Sequence, residues 1–180
     1  ERVLPPGHPH LAATLHNLAA ANQHLGALVE ARAQHERALA IREQALGPDH
    51  PDVGLSLRGL GDVLVSSGDL VGAKPYYERA LALAEAGLGP DHADVAASLA
   101  SLARLDVKTR DLRAALPLLE RSVAIYGAGE TRTRAEALTR FLLAKVLLAL
   151  GEDRSRALAE AAKARDQARV HGPEGVKEAE

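Results

Sequence analysis

The 180-residue chain carries 22 Lys and Arg against 24 Asp and Glu, and a net charge of -2 gives no bulk attraction to nucleic acid or an anionic membrane. Cysteine is absent, which excludes a disulfide scaffold, a thiolate zinc site and a cysteine nucleophile, and fits a reducing, cytoplasmic compartment. There is no apolar run near the ~20 residues of a spanning helix and no charged-then-apolar leader, and an aromatic share of 2 % beside abundant Ala and Leu favours an all-α protein of closely packed helices.

The chain starts at Glu1 without a Met and reads as a piece of something longer. Residues 1–10 are expected to be the end of a preceding repeat and a linker. Glu1 to Leu4 align with Glu43 to Leu46, and Pro5-Pro6-Gly7-His8 is a degenerate form of Gly47-Pro48-Asp49-His50. That tetrad returns 42 positions later as Gly89-Pro90-Asp91-His92. The same shift relates Leu15, Leu57 and Leu99, then Leu18, Leu60 and Leu102, then Ala31, Ala73 and Ala115. The spacing predicts an array over 11–171, with units at about 9–47, 51–89, 93–129 and 133–171 and a polar tail at 172–180.

Each unit reads as two helices, A and B, with turns near Gly26, Gly68, Arg110 and Gly151. In the second unit Pro51 suits a first helical turn, and Val53, Leu57, Leu60 and Leu64 mark the apolar face of helix A. Asp69 is placed to cap helix B, whose buried face is expected to carry Ala73, Tyr77, Ala80, Leu81 and Ala84 before Gly87 and Gly89 stop it. Pro75 and Pro117 lie beyond the first turn of their helices, which predicts a local bend. The fourth unit diverges. Leu138, Phe141, Leu143, Ala144 and Leu147 form its helix A, one extra residue enters its turn at Gly151, and Ala157 to Val170 form its helix B.

The recurring His8, His50 and His92 suggest a metal, and His10 adds a His-x-His pair. Equivalent histidines one repeat apart cannot converge on bonds of about 2 Å, because helix axes pack about 8–10 Å apart. No metal site is expected. The histidines are expected to cap helices, with the neighbouring carboxylate near the orphan N–H groups. Gly127 to Glu130 and Gly87 to Pro90 lack the strand, spacing and lysine of a phosphate loop. Carboxylates and histidines are spread by repeat and not gathered about a nucleophile, so neither an enzyme nor a cofactor is expected.

The alternation of helices with small residues at fixed places resembles the tetratricopeptide repeat. The 42-residue unit with its Gly-Pro-Asp-His-Pro-Asp linker is similar to the kinesin light chain subtype. Leu57, Leu60 and Gly61 meet the family's large-large-small pattern in helix A, and Ala73, Tyr77 and Ala80 its small-aromatic-small pattern in helix B. The resemblance implies an all-α, right-handed superhelical solenoid of about four units, with helices A lining a concave groove that accepts peptides or helices of protein partners. Departures are Asn22, Leu64 and Asp106 where the family has an aromatic, and Asn17 alone of the paired asparagines, with Gly59 and Ser101 at the equivalent places. Arrays of this subtype also stand beside kinase and other signalling domains in bacteria, and the Arg-rich, Lys-poor usage is compatible with such a source.

If helices A line the groove, its candidate residues are His16, Asn17 and Ala20, then Arg58 and Asp62, then Arg104, Lys108 and Lys145. The functional reading is a cradle for an acidic or carboxylate-bearing peptide. The alternative is a solvated helix face, with Arg58 and Asp62 paired at i,i+4. A second function class stays open: a spacer or self-association module in a longer chain, supported by the apolar end face of Leu11, Leu15 and Leu18. The partner expected is a protein or peptide, with neither nucleic acid nor membrane; oligomeric state is left open.

Overall fold

The structure, a computed structural model, describes residues 9–129 and 133–171. The segment Glu1 to Leu4, the linker with His8, Glu130 and the tail 172–180 lie outside the described residues. Among the described residues there are eight helices and no strand: α1 (Pro9–His24), α2 (Leu28–Leu46), α3 (Val53–Ser67), α4 (Leu70–Leu88), α5 (Ala93–Lys108), α6 (Leu112–Ala128), α7 (Arg134–Leu150) and α8 (Arg154–His171). They fall into two compact units, Glu1–Pro90 and Asp91–Glu180. In the N-terminal unit α1 pairs with α2 and α3 with α4, while α2 packs on α3 and α1 also touches α3. In the C-terminal unit α5 pairs with α6 and α7 with α8, α6 packs on α7, and α5 touches α7.

The four turns share one construction. Gly26, Gly68, Arg110 and Gly151 adopt left-handed backbone at φ 81°, 90°, 68° and 69°. The next residue then donates its N–H five positions back: Ala27 to Asn22 O at 2.9 Å, Asp69 to Leu64 O at 2.9 Å, Asp111 to Asp106 O at 2.8 Å and Glu152 to Leu147 O at 3.0 Å. Arg110 adopts the conformation without glycine's freedom, a cost of about 1–2 kcal/mol.

The second helix of each later pair starts at a side-chain cap. The carboxylates of Asp69, Asp111 and Asp153 accept from the N–H groups of Gly72, Ala114 and Arg156 at 2.8, 3.0 and 3.0 Å. His92 caps α5 through the imidazole, its Nδ1 accepting from the N–H of Asp94 at 3.1 Å, and His50 Nδ1 accepts likewise from the N–H of Asp52 at 3.2 Å in the turn before α3. The ring, and not the adjacent carboxylate, reaches the orphan donor. Pro51 stands outside α3, in the tight turn before it, where its carbonyl accepts from Gly54 N–H at 2.9 Å. Both α4 and α6 run on through Pro75 and Pro117, so neither proline ends its helix.

Packing corrects the faces expected from single-helix periodicity. Val63 takes the buried place expected of Leu64 because it packs on Ala19 and Ala31 of the preceding hairpin. Leu83, not Leu81, joins Ala80, Val53 and Leu57. In α7 the buried face is Ala137, Arg140, Leu143, Ala144, Val146 and Leu147, whereas Leu138 and Phe141 point outwards. Leu15 is covered by Ala38 and Ile41 of α2, which reduces the expected apolar end face to the exposed Leu18 and part of Leu11.

Candidate functional site

The C-terminal unit carries an exposed apolar stripe on α7. Leu138, Phe141, Lys145 and Leu148 follow one another by three, four and three residues, which puts them on one helix face. The three apolar members are 61 %, 53 % and 50 % exposed. Lys145 Nζ lies 5.8 Å from the centre of the Phe141 ring, so its charge sits over the aromatic face. On the adjacent α5, Arg104 and Lys108 are exposed, and Arg104 donates to Ser101 Oγ at 3.1 Å. Three expected groove cations thus belong to neighbouring first helices of one unit, beside exposed apolar side chains that were not among the expected groove residues.

The expected residues of the N-terminal unit sit differently. Asn17 is exposed on α1, while His16 on α1 and Arg58 and Asp62 on α3 are half-buried. Asp62 accepts from the Tyr77 hydroxyl at 2.7 Å, which ties α3 to α4. His16 meets His35 of α2 edge-on, ring centres 5.1 Å apart, and both Nδ1 atoms are buried without a hydrogen bond. Burial, and then the nearby Arg42 and Arg58, lower the pKa of His16 against the pull of Asp62. His35 is pushed down to about 4 by burial first, then by His16 and Arg42. Gly59 makes room for it: a Cβ there would lie 2.3 Å from His35 Cε1. Arg42 is also buried and donates to Ser56 Oγ, and burial lowers its pKa against the opposing influence of Asp52.

The C-terminal unit has a buried arginine of the opposite kind. Arg140 of α7 holds Glu136 of its own helix and Glu160 of α8, and Lys163 also donates to Glu160, at 2.9 Å. Burial works against the charge of Arg140, but the bonds to Glu160 and Glu136 outweigh it and raise its pKa. Burial likewise opposes charge on Glu160, and Lys163 and Arg140 overcome it, lowering the carboxyl.

Sequence reasoning passed over His35, Arg42, Glu136, Arg140 and Glu160. Two could have been found by comparing repeats, since His35 stands where the shift of 42 places Tyr77 and Leu119, and Arg42 where it places Ala84 and Tyr126. A polar residue at a position its counterparts keep apolar or aromatic is the available signal. Among the described residues no group of three or more His, Cys, Asp or Glu could hold a metal ion. No described helix is long and apolar enough to cross a membrane.

Residues 10–86 and 68–128 match the Tetratricopeptide repeat family, about two thirds of the chain. The chain belongs to that family. Its fold is that of a tetratricopeptide helical solenoid, similar to that of kinesin light chain-like proteins. The crystal structure of BtubC (BKLC) from P. vanneervenii is similar at 23 % identity, covering 95 % of this chain and 67 % of that one, with a TM-score of 0.76. A kinesin light chain-like protein of nearly identical TPR-like repeats, from Podosopora anserina, is similar in two crystal structures. One has 24 % identity over 93 % of this chain and 81 % of that one, with a TM-score of 0.73. The other has 20 % identity over 92 % and 99 %, with a TM-score of 0.62. No curated protein matches the chain significantly. Tetratricopeptide repeats generally mediate protein–protein interaction, and the family is one of non-catalytic scaffolds that bind proteins or peptides.

Proposed function

We propose that the chain is a non-catalytic scaffold of four repeats, at about 9–47, 51–89, 93–129 and 133–171, and that the α5–α7 face of its C-terminal unit binds an acidic amphipathic segment of a partner protein. The observation that carries this reading is the α7 stripe, where Leu138, Phe141 and Leu148 stay exposed beside Lys145. Apolar side chains supply contact area, while Arg104, Lys108 and Lys145 favour carboxylates and set the segment's orientation. His16, Asn17, Arg58 and Asp62 are the residues proposed for the first helices of the N-terminal unit, Asp62 standing where the shift of 42 places Arg104.

The test is titration of a peptide selected against the intact chain, at two salt concentrations. Phe141→Ala and Arg104→Glu should each weaken binding by about 1–3 kcal/mol, the first through lost contact area and the second through a charge-assisted contact. The exposed Arg113 of α6 is a suitable control for charge reversal. Arg79 is not, because it bonds Glu43 and the Pro48 carbonyl at 2.8 and 3.1 Å. Affinity equal in both variants and indifferent to salt would remove the proposed face.

Self-association is the second reading, favoured by Leu25, Val29 and Val71, which are 82 %, 80 % and 87 % exposed in the N-terminal unit. Sedimentation of the chain against a Val29→Lys, Val71→Lys variant checks it: a dimer that dissociates in the variant supports self-association, and a monomer throughout rules it out.

A further inference from the structure

On the C-terminal unit a cavity of about 420 Å³ opens among the end of α6, α7 and α8, away from the exposed stripe of α7. Glu136, Arg140, Lys163, Asp166 and Gln167 line it, together with the glycines Gly127 and Gly129 at the end of α6. Part of this lining is a satisfied ion cluster. Arg140 is occupied by Glu136 and Glu160, and Lys163 by Glu160.

One buried acceptor is left over, and a second side chain is only half used. Gln167 is only 5 % exposed, and its Oε1 meets no hydrogen-bond donor. An unpaired buried amide costs free energy that a ligand would recover. Glu136 is 2 % exposed, and Arg140 grips it through a single oxygen: Nε and Nη2 both reach Oε1, at 2.9 and 2.8 Å. Its Oε2 is left outside the grip of Arg140. Glu136 and Gln167 come from different helices, yet both line the one cavity.

Glu136, Glu160 and Asp166 are balanced in number by Arg140, Lys163 and Arg165. Asp166 is engaged only by its exposed neighbour Arg165, at 2.9 Å. The C-terminal end of α6, with its unpaired carbonyls, adds a partial negative charge. An apolar group would leave Gln167 Oε1 unpaired.

We propose that this cavity binds an alkylguanidinium group, whose planar fork donates to Glu136 Oε2 and Gln167 Oε1 while Asp166 lies at the same wall. The planar fork suits two acceptors on separate helices better than the compact charge of an ammonium does. Such a group is carried by free alkylguanidines and by arginine side chains of proteins, and the two sources can be told apart.

The experiment is calorimetric and ¹⁵N NMR titration of the intact chain with agmatine, with cadaverine as its ammonium counterpart, and with a short peptide carrying one central arginine. Agmatine should shift amide signals of α7 and α8 around residues 136 and 167 and bind more tightly than cadaverine. Gln167→Leu, which installs an apolar residue where α6 has Ile125, should keep the helical spectrum and weaken agmatine by about tenfold or more. Glu136→Gln should weaken it further, and Lys145→Ala should leave it unchanged. A peptide that binds at least about tenfold tighter than agmatine assigns the site to a protein-borne arginine, and equal affinity assigns it to a free guanidine. Agmatine affinity that is the same in Gln167→Leu, or absence of binding at about 50 mM, a concentration that would reveal even millimolar affinity, overturns the proposal.

Discussion

Each unit buries an arginine, and the two solve the problem differently. Arg140 in the C-terminal unit is 9 % exposed and surrounded by carboxylates on α7 and α8, so its charge is paired across two helices. Arg42 in the N-terminal unit is 5 % exposed, and its one described hydrogen bond goes to the neutral hydroxyl of Ser56. Beside it stand two imidazoles that burial keeps neutral. A paired buried charge fixes helices to each other, whereas an unpaired one with neutral histidines leaves a unit sensitive to added protons.

The largest expected difference follows from removing each arginine. Arg140→Met leaves Glu136 and Glu160 buried without their common partner and should cost about 3–5 kcal/mol. Arg42→Met strands no carboxylate hydrogen-bonded to it and should cost no more than about 1.5 kcal/mol, the value of an ordinary hydrogen bond. Chemical denaturation of both variants checks this; equal losses would mean that the two sites are not different in kind.

Next in size is a pH effect confined to the N-terminal unit. Folded His35 titrates near 4, below the ordinary value of 6.5. Above pH 6.5 it is neutral in both states and contributes no pH dependence. As pH falls from 6.5 towards 4 the unfolded chain takes up a proton that the folded chain refuses, so stability is lost across that window. The loss approaches about 3 kcal/mol. His35→Leu, the residue found at the equivalent position 119, should flatten the dependence between pH 6.5 and 4. Thermal midpoints measured through that range decide the matter, and an unchanged slope in the variant would move the effect to other groups.

A smaller effect sharpens the same point. Gly59→Ala would set a Cβ 2.3 Å from Cε1 and 2.5 Å from Nδ1 of His35. Overpacking should cost about 1–3 kcal/mol, more than the ~1 kcal/mol gained in helix propensity. Combining it with His35→Ala should restore most of that loss, because the added methyl then has space. A double-mutant cycle without coupling would show that the glycine is not there for the ring. Smallest of all, Asp69→Ala and Asp111→Ala should each cost about 1 kcal/mol as lost caps, one in each unit, with equal values expected from their matching geometry.

Much of the fold was legible because the repeat carries its own punctuation. Gly26, Gly68 and Gly151 sit where left-handed backbone is required, Asp69 follows Gly68 directly as a cap, and the shift of 42 places the units in register. Arg110 was legible too, by position and not by type, since the repeat assigns a turn there. The candidate face was less legible. Lys145, Arg104 and Lys108 were singled out from helical phase, and Leu138 and Phe141 were placed on the fourth unit's first helix, but hydrophobicity alone does not say which side of a helix has a neighbour.

The sequence by itself determined the helical hairpin, its turns, its caps and the family, since each depends on residues within a few positions of one another or on their fixed recurrence. Only the tertiary structure decided which side of α7 is covered, that Val63 and not Leu64 reaches the preceding hairpin, and that His35 with His16, and Arg140 with Glu136 and Glu160, are brought together. Those outcomes depend on where the neighbouring helices lie: burial strips water from a charge or a ring only when another helix closes over it.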